Sequence, residues 1–326
     1  MTDNSRKPKI VITVKKHVQT RHVYGTHSDP KPVLKWIGGK SQILEQVLNR
    51  FPSKMDNYHE IFLGGGSVLI GLLQAINKGK ITVKHTIYAH DINHALISMY
   101  TNIQKHHVEL FEQMEKLISD FSECTNETIN RDPETLEEAK SSQESYYYWI
   151  RKQYNDLSNV DKCTIYGSCC FIFLNKTCFR GLYRIGPHGF NVPYGHYKNP
   201  TILDWDNLNE LHNLIQNVEF KCLDFKESLK CVTKNDFVYL DPPYVPVNAT
   251  SFVKYTENGF NMDQHQQLFE ILNNLPCRFL LSNSDTKLVR QSFIGNIFSI
   301  DELECRRAIN SKKPDSKANE LFVKNY

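Results

Sequence analysis

The sequence predicts an α/β fold, in which a mostly parallel sheet is interrupted by a largely helical insert. Two observations predict the sheet: an apolar strand, a glycine turn, a helix and a second strand follow one another over residues 58–91, and apolar strands return after residue 236. The first of these is the order of a βαβ unit. A third observation predicts the insert, because the chain between these strands has either helical periodicity or no regular pattern.

Short apolar runs bounded by glycine, proline or polar residues identify the strands. The first of them runs directly into Gly64-Gly65-Gly66, and the second ends at His90-Asp91. Val33–Trp36 is predicted to be an extended segment that precedes them. The predicted strands are Tyr58–Leu63, Thr86–Ala89, Phe237–Leu240, Phe279–Leu281 and Glu320–Val323.

Apolar residues at helical spacing identify the helices. Pro52 stops the first of them, and Ser67 is the predicted N-cap of the helix that follows the glycines. The acidic stretch Asp120–Ser145 is predicted to be an exposed insertion, Ile165–Leu174 is apolar, and Asn175–Pro200 resembles no regular element. The predicted helices are Ser41–Arg50, Val68–Asn77, Asn102–Phe121, Gln143–Leu157 and Asp263–Leu275.

These elements divide the chain into three parts. Residues 1–32 form a basic tail that is predicted to be disordered, although Ile10–Val14 also suits a lone strand. Residues 33–105 and 215–326 together form the α/β domain, and residues 106–214 form the inserted domain.

Composition excludes several classes of protein. With 40% hydrophobic and 23% charged residues, the chain is not disordered or collagen-like. No apolar run approaches the ~20 residues that cross a bilayer, and the polar start Met1–Lys9 does not suit a signal peptide. The nine cysteines include no C-x-x-C pair, so no disulfide framework, zinc site or redox motif is indicated. Their odd number predicts reduced thiols in a soluble, intracellular protein.

The net charge of +3 is unevenly distributed. Met1–Pro32 carries +5, Asp120–Ser145 carries −6, and Phe171–Pro200 and Cys305–Lys317 carry +4 each. Basic segments separated by an acidic one favour a protein with one face turned toward a polyanion. Ordinary solvated surface charge explains the same pattern equally well.

The strongest motif is Asp241-Pro242-Pro243-Tyr244, directly after an apolar strand. Two prolines cannot continue a strand ladder, so the chain must turn sharply. The turn puts Asp241 and Tyr244 at the carboxyl edge of the sheet, where α/β folds bind ligands. A simple strand-terminating turn is the alternative, but an acid and an aromatic ring flanking two prolines are unusual turn chemistry.

The second motif is the glycine turn Phe62–Ser67. Glycine lets the backbone approach a ligand, and the N-terminus of the following helix favours a negative group. Asp91, at the end of the next strand, suits two ribose hydroxyls. Such a turn serves nicotinamide, flavin and S-adenosylmethionine (AdoMet) sites alike. Gly38–Ser41 lacks the earlier glycine of a P-loop, which argues against an NTPase, and neither His106-His107 nor His59-Glu60 has metal-ligand spacing.

In this order, the motifs resemble those of the Dam-type adenine-N6 DNA methyltransferases, the alpha or D12 class. The resemblance runs from about Val33 to Val323, and only the tail and the acidic stretch exceed the family's core. It implies a Rossmann-like AdoMet-dependent methyltransferase sheet with a mostly helical inserted target-recognition domain. The segments that carry it are Lys35–Lys40, Glu60–Ser67, Ala89–Asn93, Leu174–Arg184, Phe190–Lys198, Asp241–Tyr244 and Leu281–Thr286.

The resemblance implies that AdoMet is the methyl donor and that no metal is needed. It implies that Lys40 pairs with the methionine carboxylate of AdoMet, that Asp91 binds the ribose, and that Asp224-Phe225 lies beside the adenine of the cofactor. The implied cofactor-binding residues are Trp36, Lys40, Phe62, Gly64, Gly66, Asp91, Asp224, Phe225 and Asp241.

The implied catalytic residues are Asp241, Pro242 and Tyr244. Because a sulfonium methyl group is already a strong electrophile, the enzyme mainly supplies position and charge distribution. Asp241 and the backbone carbonyl of Pro242 are suited to accept the two N6–H bonds of adenine. The amino group inside a duplex cannot reach such a pocket, so the base must flip out, and Tyr244 is expected to stack on it.

The implied partner is double-stranded DNA, bound by a monomer or weak dimer. Arg184 suits guanine O6 and N7, and Phe179 suits insertion into the base stack. Arg180, where family members often carry Asn, suits a phosphate contact. Many such enzymes modify GATC, which is therefore the expected target. The implied DNA-binding residues are Lys35, Phe179, Arg180, Leu182, Arg184 and Lys198.

Two other functions stay open at this point. A methyltransferase acting on RNA or on a protein glutamine amide would use a similar pocket, although Asp241 replaces the Asn typical of glutamine-modifying enzymes. The second is a catalytically silent DNA-binding relative, but intact Asp241, Tyr244, Gly64 and Asp91 argue against it.

Overall fold

The structure, a computed structural model, describes residues 29–124, 128–247, 259–306 and 317–326. The predicted lone strand Ile10–Val14 and nearly all of the basic tail lie outside the described residues, as does most of the basic segment Cys305–Lys317. Among the residues it describes, no helix combines the length and apolar character that would let it cross a membrane.

A seven-stranded sheet lies at the centre of the described chain, with two small two-stranded sheets apart from it. Ladder pairing within the large sheet is parallel except around its penultimate strand. The strands are β1 Lys54–Met55, β2 Tyr58–Glu60, β3 Thr82–Val83, β4 Ile87–Asp91, β5 Ile185–Gly186, β6 Gly189–Phe190, β7 Val218–Cys222, β8 Phe237–Leu240, β9 Arg278–Ser284, β10 Ser299–Arg306 and β11 Lys317–Lys324.

Helices flank the large sheet and build most of the region between β4 and β7. Short 3₁₀ turns at Lys40–Gln42, Asp161–Cys163 and Phe179–Gly181 accompany them. The helices are α1 Leu44–Leu48, α2 Ser67–Asn77, α3 His94–Glu123, α4 Leu136–Ala139, α5 Gln143–Asp156, α6 Ile165–Thr177, α7 Trp205–Leu214, α8 Phe225–Leu229, α9 Met262–Asn273 and α10 Lys287–Ser292.

The strand order is β10-β11-β9-β8-β2-β4-β7, and β11 is antiparallel to both of its neighbours. The chain enters the middle of the sheet at β2, builds outward to β7 on one side, and then returns to β8 on the other. The strand order therefore reverses between β2 and β8, and the carboxyl ends of two such strands are where open α/β sheets bind ligands in a crevice. This topology confirms the predicted α/β class and brings the glycine turn and the Asp241 corner to neighbouring strand ends.

Residues that alternate along β8 point into two separate cores. Phe237 and Tyr239 pack with α2, α3 and α6, whereas Val238 and Leu240 pack with α9. Because successive side chains of a strand point to opposite faces, a strand buried on both faces must be apolar throughout. This explains why Phe237–Leu240 was predicted with its observed bounds.

The structure corrects two predicted helix starts. Gly66, with φ of 71°, is the N-cap of α2, and Ser67 lies inside the helix as its first residue. Helix α3 starts at His94 rather than at Asn102, because the side chain of Asn93 accepts a hydrogen bond from Leu96 N at 3.2 Å. The same helix continues through the predicted boundary at residue 106, where His106 has φ of −140° and kinks it.

Other predictions hold in part. The first predicted helix divides into the 3₁₀ turn Lys40–Gln42 and α1, and the apolar run 165–174 is helix α6. Helix α5 starts one residue after Ser142, whose side chain accepts from Ser145 N at 3.1 Å. Glu144 and Ser145 are buried, so the end of the acidic stretch is not the exposed insertion that was predicted. The sequence analysis did not identify β7 or β10.

Candidate active site

The glycine turn after β2 is tied to the end of β4. Gly64 N donates to Asp91 Oδ2 at 3.0 Å, and Asn93 N donates to Asp91 Oδ1 at 2.9 Å. Burial raises the pKa of Asp91, and these hydrogen bonds oppose that rise. Gly64 and Gly66 have φ of 50° and 71°, a region in which glycine carries no steric penalty. The turn and its carboxylate thus form one rigid rim.

Two aromatic side chains pack against this turn so closely that larger residues do not fit. A Cβ atom at Gly65 would lie 2.7 Å from Trp36 Cβ, and one at Gly64 would lie 2.8 Å from Trp36 Nε1. On the other side, the Tyr100 hydroxyl donates to Gly65 O at 2.8 Å. The glycines therefore allow close approach between protein segments.

Lys40 joins the glycine turn to the Asp241 corner. Its backbone N donates to Ser67 Oγ at 3.1 Å, and its Nζ donates to Asp241 Oδ2 at 2.6 Å and to Gly38 O at 2.9 Å. The Lys40 side chain is 3% exposed and that of Asp241 is 19% exposed. The two motifs, 201 residues apart for this pair, therefore share one site.

The corner itself is held in place by β9. The Tyr244 hydroxyl and Ser282 Oγ share a hydrogen bond of 2.6 Å, and Val245 N donates to Asn283 Oδ1 at 3.0 Å. Lys40 Nζ lies 5.1 Å above the Tyr244 ring. Burial raises the pKa of Asp241, while the Lys40 ammonium opposes the rise. The ion pair thus favours the ionised carboxylate in a partly dehydrated place.

Three phenylalanine rings pack together at the sheet edge that carries the glycine turn and Asp91. Phe62 is stacked with Phe225 at 6.1 Å between ring centroids, and Phe260 lies 5.8 Å from Phe62 and 5.6 Å from Phe225. Leu223 N donates to Asp91 O at 3.2 Å, so the loop after β7 lies beside the end of β4. Asp224 caps α8 through Lys226 N at 2.9 Å. Asp224 and Phe225 thus lie on the same edge as Asp91.

The chain matches a family model over residues 36–309, that of the D12 class N6 adenine-specific DNA methyltransferases. It belongs to this family. The protein is therefore an enzyme of the DNA adenine methyltransferase class, as the motifs predicted. Its membership implies AdoMet as methyl donor and DNA as the molecule acted on.

Characterised relatives match nearly the whole chain. A type II methyltransferase of Methanocaldococcus jannaschii, M.MjaIII, is 37% identical, and the match covers 91% of this chain and 99% of the relative. The type II methyltransferase M1.LlaDCHI of Lactococcus lactis subsp. cremoris is 30% identical over 91% of this chain and 95% of its own. A DNA adenine methylase of Salmonella typhi is 30% identical over 85% of this chain and 88% of its own.

The residues at this edge of the sheet fit AdoMet as a bound group. A glycine turn at a helix start, a carboxylate at the next strand end and a set of aromatic rings offer the contacts that a nucleoside with a charged amino-acid tail needs. Among the described residues, no group of three or more His, Cys, Asp or Glu side chains is arranged to hold a metal ion. Lys40, expected to meet the methionine carboxylate, pairs with Asp241 in this structure.

Most of the predicted DNA-binding residues lie in or beside the turn after α6. Phe179 is 44% exposed, and Arg180 has φ of 59°, so the turn has a left-handed backbone at a non-glycine residue. Arg184 donates from Nε to Asn191 Oδ1 at 2.6 Å and from Nη2 to Asn191 O at 3.1 Å. Lys35 Nζ lies 3.9 Å above the Tyr197 ring. Lys35 and Lys198 are exposed, whereas Leu182 is half-buried.

The sequence analysis missed several residues that shape the site. Tyr100 lies outside every predicted element, because the helix was predicted only from Asn102, and Ser282 was noted only as part of a matched segment. Their signals are weak, because a tyrosine in an amphipathic helix and a serine in a strand are common in any core. Their roles appear only when the hydroxyls are seen against Gly65 and Tyr244.

Proposed function

We propose that the protein transfers a methyl group from AdoMet to N6 of an adenine flipped out of duplex DNA, within the sequence GATC. The observation that carries the proposal is the contact of Lys40 with both motifs: its Nζ pairs with the Asp241 carboxylate and lies above the Tyr244 ring, and its backbone N donates to Ser67 at the end of the glycine turn. A donor held at the turn and a base held at the corner would therefore lie side by side.

AdoMet, when bound, supplies an electrophilic methyl group on a positively charged sulfur. In this proposal Asp91 holds the ribose, and Lys40 divides its charge between Asp241 and the methionine carboxylate. Phe62 and Phe225 enclose the cofactor adenine with Asp224 beside it. In this proposal Trp36, Gly64 and Gly66 line the cofactor. Trp36 packs against Gly64 and Tyr100 packs against Gly66, so neither glycine position has room for a larger residue.

Asp241 and Pro242 act on the amino group of the target base. The Asp241 carboxylate accepts one N6–H bond and the Pro242 carbonyl accepts the other, which directs the nitrogen lone pair toward the methyl group. Tyr244 stacks on the extruded ring, and its hydroxyl is already paired with Ser282, so little side-chain freedom remains to be lost. The Lys40 ammonium favours the ionised form of this acceptor, against the effect of burial on its pKa.

The DNA-binding proposal assigns residues 106–214 to an inserted target-recognition domain on the α/β domain of residues 33–105 and 215–326. Arg184 reads a guanine, and its guanidinium plane is already fixed by Asn191. Phe179, half-exposed, enters the gap left by the extruded base. Lys35 and Leu182 contact bases, while Arg180 and Lys198 hold phosphates. The enzyme acts as a monomer or weak dimer.

A transfer assay tests the proposal. The wild type should transfer tritiated methyl groups to duplex DNA, and Asp241→Ala should abolish transfer, because the amino group then loses its charged acceptor. The matched control is Asp132→Ala, which removes a carboxylate that is 85% exposed. Near wild-type transfer by the Asp241 variant would refute the assigned role.

The modified base and its context need a second experiment. DNA from a methylation-deficient host that expresses the protein should contain N6-methyladenine within GATC when it is sequenced by a modification-sensitive method. Modification of another sequence would refute the GATC assignment alone. Transfer only to RNA or to protein, or no transfer at all with AdoMet bound, would refute the proposal as a whole.

A further inference from the structure

Asn175 occupies an unusual place for a polar residue. It lies in the last turn of α6 and is 2% exposed. Its side-chain amide accepts from Lys35 N at 2.8 Å, donates to Lys35 O at 2.8 Å, and donates to Gly181 O at 3.2 Å. A buried amide must be paired to be tolerated, and this one has both its donor and acceptor atoms in use.

The two hydrogen bonds between Asn175 and Lys35 resemble those between paired residues of neighbouring β-strands. In a hydrogen-bonded antiparallel pair, one residue offers its C=O and its N–H to the residue opposite, and the Asn175 amide offers the same two groups to the backbone N and O of Lys35. The reversed orientation of the amide would set its NH₂ against the Lys35 N–H, so the network defines one orientation. The backbone of Lys35 is therefore fixed from both directions.

The third hydrogen bond adds the turn that carries the predicted DNA-binding residues. Gly181 has φ of 63°, and a Cβ atom there would lie 2.8 Å from Lys35 Cδ. The turn 178–184 and Lys35 are thus in direct contact, and the Asn175 amide holds both. Asn175 thus forms a junction that joins the end of α6 and the turn that follows it to Lys35, which lies 140 positions away in the sequence.

On its other side, Lys35 leads straight into the cofactor wall and the catalytic corner. Trp36 packs against Gly64 and Gly65, and Gly39 N donates to Trp36 O at 3.2 Å. Lys40 then pairs with Asp241 at 2.6 Å. Residues 35–40 form a short, hydrogen-bonded connection between the DNA-binding turn and the catalytic carboxylate.

We propose that Asn175 is a positioning residue that couples target recognition to methyl transfer. It holds the turn 178–184 and Lys35 in a fixed position relative to each other, and through residues 35–40 it sets the positions of Trp36 and Lys40. This inference rests on the proposed function, because recognition and transfer are what the junction joins. Asn175 itself touches neither base nor cofactor.

The test uses Asn175→Asp, which keeps the shape and the acceptor but removes both donors and sets an anion against two carbonyl oxygens. Asn102→Asp is the matched control: Asn102 Nδ2 donates to Cys163 O at 3.0 Å and to Ser168 Oγ at 2.9 Å, at the opposite end of the same helix α6. Both variants lose two donated hydrogen bonds, so both should lower the melting temperature.

The deciding readout is discrimination between sites. We compare, as a ratio, kcat/KM at the sequence that the wild type methylates with kcat/KM at sites that differ from it by one base pair. The methylation reactions are run at a temperature where all the proteins are folded, and the products are read by sequencing the methylated DNA. Asn175→Asp should lower this ratio at least about tenfold, because a misplaced reader costs rate mainly at the correct site, while Asn102→Asp keeps it. An unchanged ratio for Asn175→Asp would overturn the proposal.

Hydrogen exchange read by mass spectrometry supplies a second readout that needs no activity. Asn175→Asp should speed exchange in residues 35–40 and in 178–184 together, and Asn102→Asp in neither. Faster exchange confined to α6 would overturn the coupling, even if wild-type protein methylated no DNA and the proposed function failed. If Asn175→Asp does not fold, Gly181→Ala perturbs the same junction from the turn side and must give the same two results.

Discussion

Two lysine–aspartate pairs in this protein have the same length and different surroundings. Lys40 Nζ lies 2.6 Å from Asp241 Oδ2, with the side chains 3% and 19% exposed, and Lys78 Nζ lies 2.6 Å from Asp29 Oδ2, with the side chains 53% and 57% exposed. Replacing either lysine by methionine keeps most of the side-chain volume and removes the charge. The pair of variants therefore isolates the effect of burial.

The two variants are expected to lose very different amounts of unfolding free energy. Removing one partner of a buried ion pair leaves an uncompensated charge and costs about 3–5 kcal/mol. Removing one partner of an exposed pair costs about 0–1 kcal/mol, because water and salt already screen it. Lys40→Met should therefore lower the free energy of unfolding far more than Lys78→Met does.

The pH dependence gives the sign of the effect. Burial raises the pKa of Asp241 above its ordinary value and Lys40 opposes the rise, so removing Lys40 raises that pKa further. A carboxylate with a raised folded-state pKa destabilises the fold where it is ionised and stops doing so once it is protonated. The penalty of Lys40→Met should be largest near neutral pH and shrink as the pH falls, and the acid limb of methyl transfer should move to higher pH.

Urea unfolding of the wild type and both variants at several pH values measures the penalty, and initial rates of methyl transfer measure the acid limb. Equal losses for Lys40→Met and Lys78→Met would refute the claim that burial decides the strength of the pair. A penalty for Lys40→Met that grows on acidification would refute the assigned sign.

Two further predictions concern the glycine turn and a buried histidine. A Cβ atom at Gly65 would lie 2.7 Å from Trp36 Cβ, whereas one at Gly71 would meet the end of the flexible Leu44 side chain. Gly65→Ala should therefore displace Trp36 and weaken AdoMet binding, measured by calorimetry, at least about tenfold, and Gly71→Ala should leave it unchanged. Equal affinities of the two variants would contradict this. Burial lowers the pKa of His90 from 6.5 to about 3. The neutral buried ring therefore costs the fold nothing above pH 6.5, and the fold loses stability as the pH falls from 6.5 toward 3. His90→Gln should flatten the dependence of unfolding free energy on pH by at most about 1.4 kcal/mol per pH unit, and an unchanged slope in thermal or urea unfolding would contradict it.

Local signals in the sequence were sufficient for much of the sheet. The strand Phe237–Leu240 was predicted with its observed bounds because it is apolar at every position and ends at two prolines. The glycine turn and Asp91 were placed at neighbouring strand ends for the same reason: glycine, proline and apolar runs act on the backbone within a few residues.

Boundaries that depend on other segments were not predictable in this way. The helix predicted from Asn102 begins at His94, and the predicted cap Ser67 gives way to Gly66, whose positive φ and contact with Tyr100 come from packing. Ser67 instead accepts a hydrogen bond from Lys40 N, and no local sequence pattern predicts this contact.

By itself, the sequence determined the α/β class, the family and the residue types available at the crevice, because motifs are local and their order survives without coordinates. Tertiary structure alone decided that Lys40 meets Asp241 and that Asn175 holds Lys35 against Gly181. These contacts join residues 201 and 140 positions apart. Their partners are selected by the reversal of strand order between β2 and β8 and by the dense packing of the core, and neither acts on the chain until it has folded.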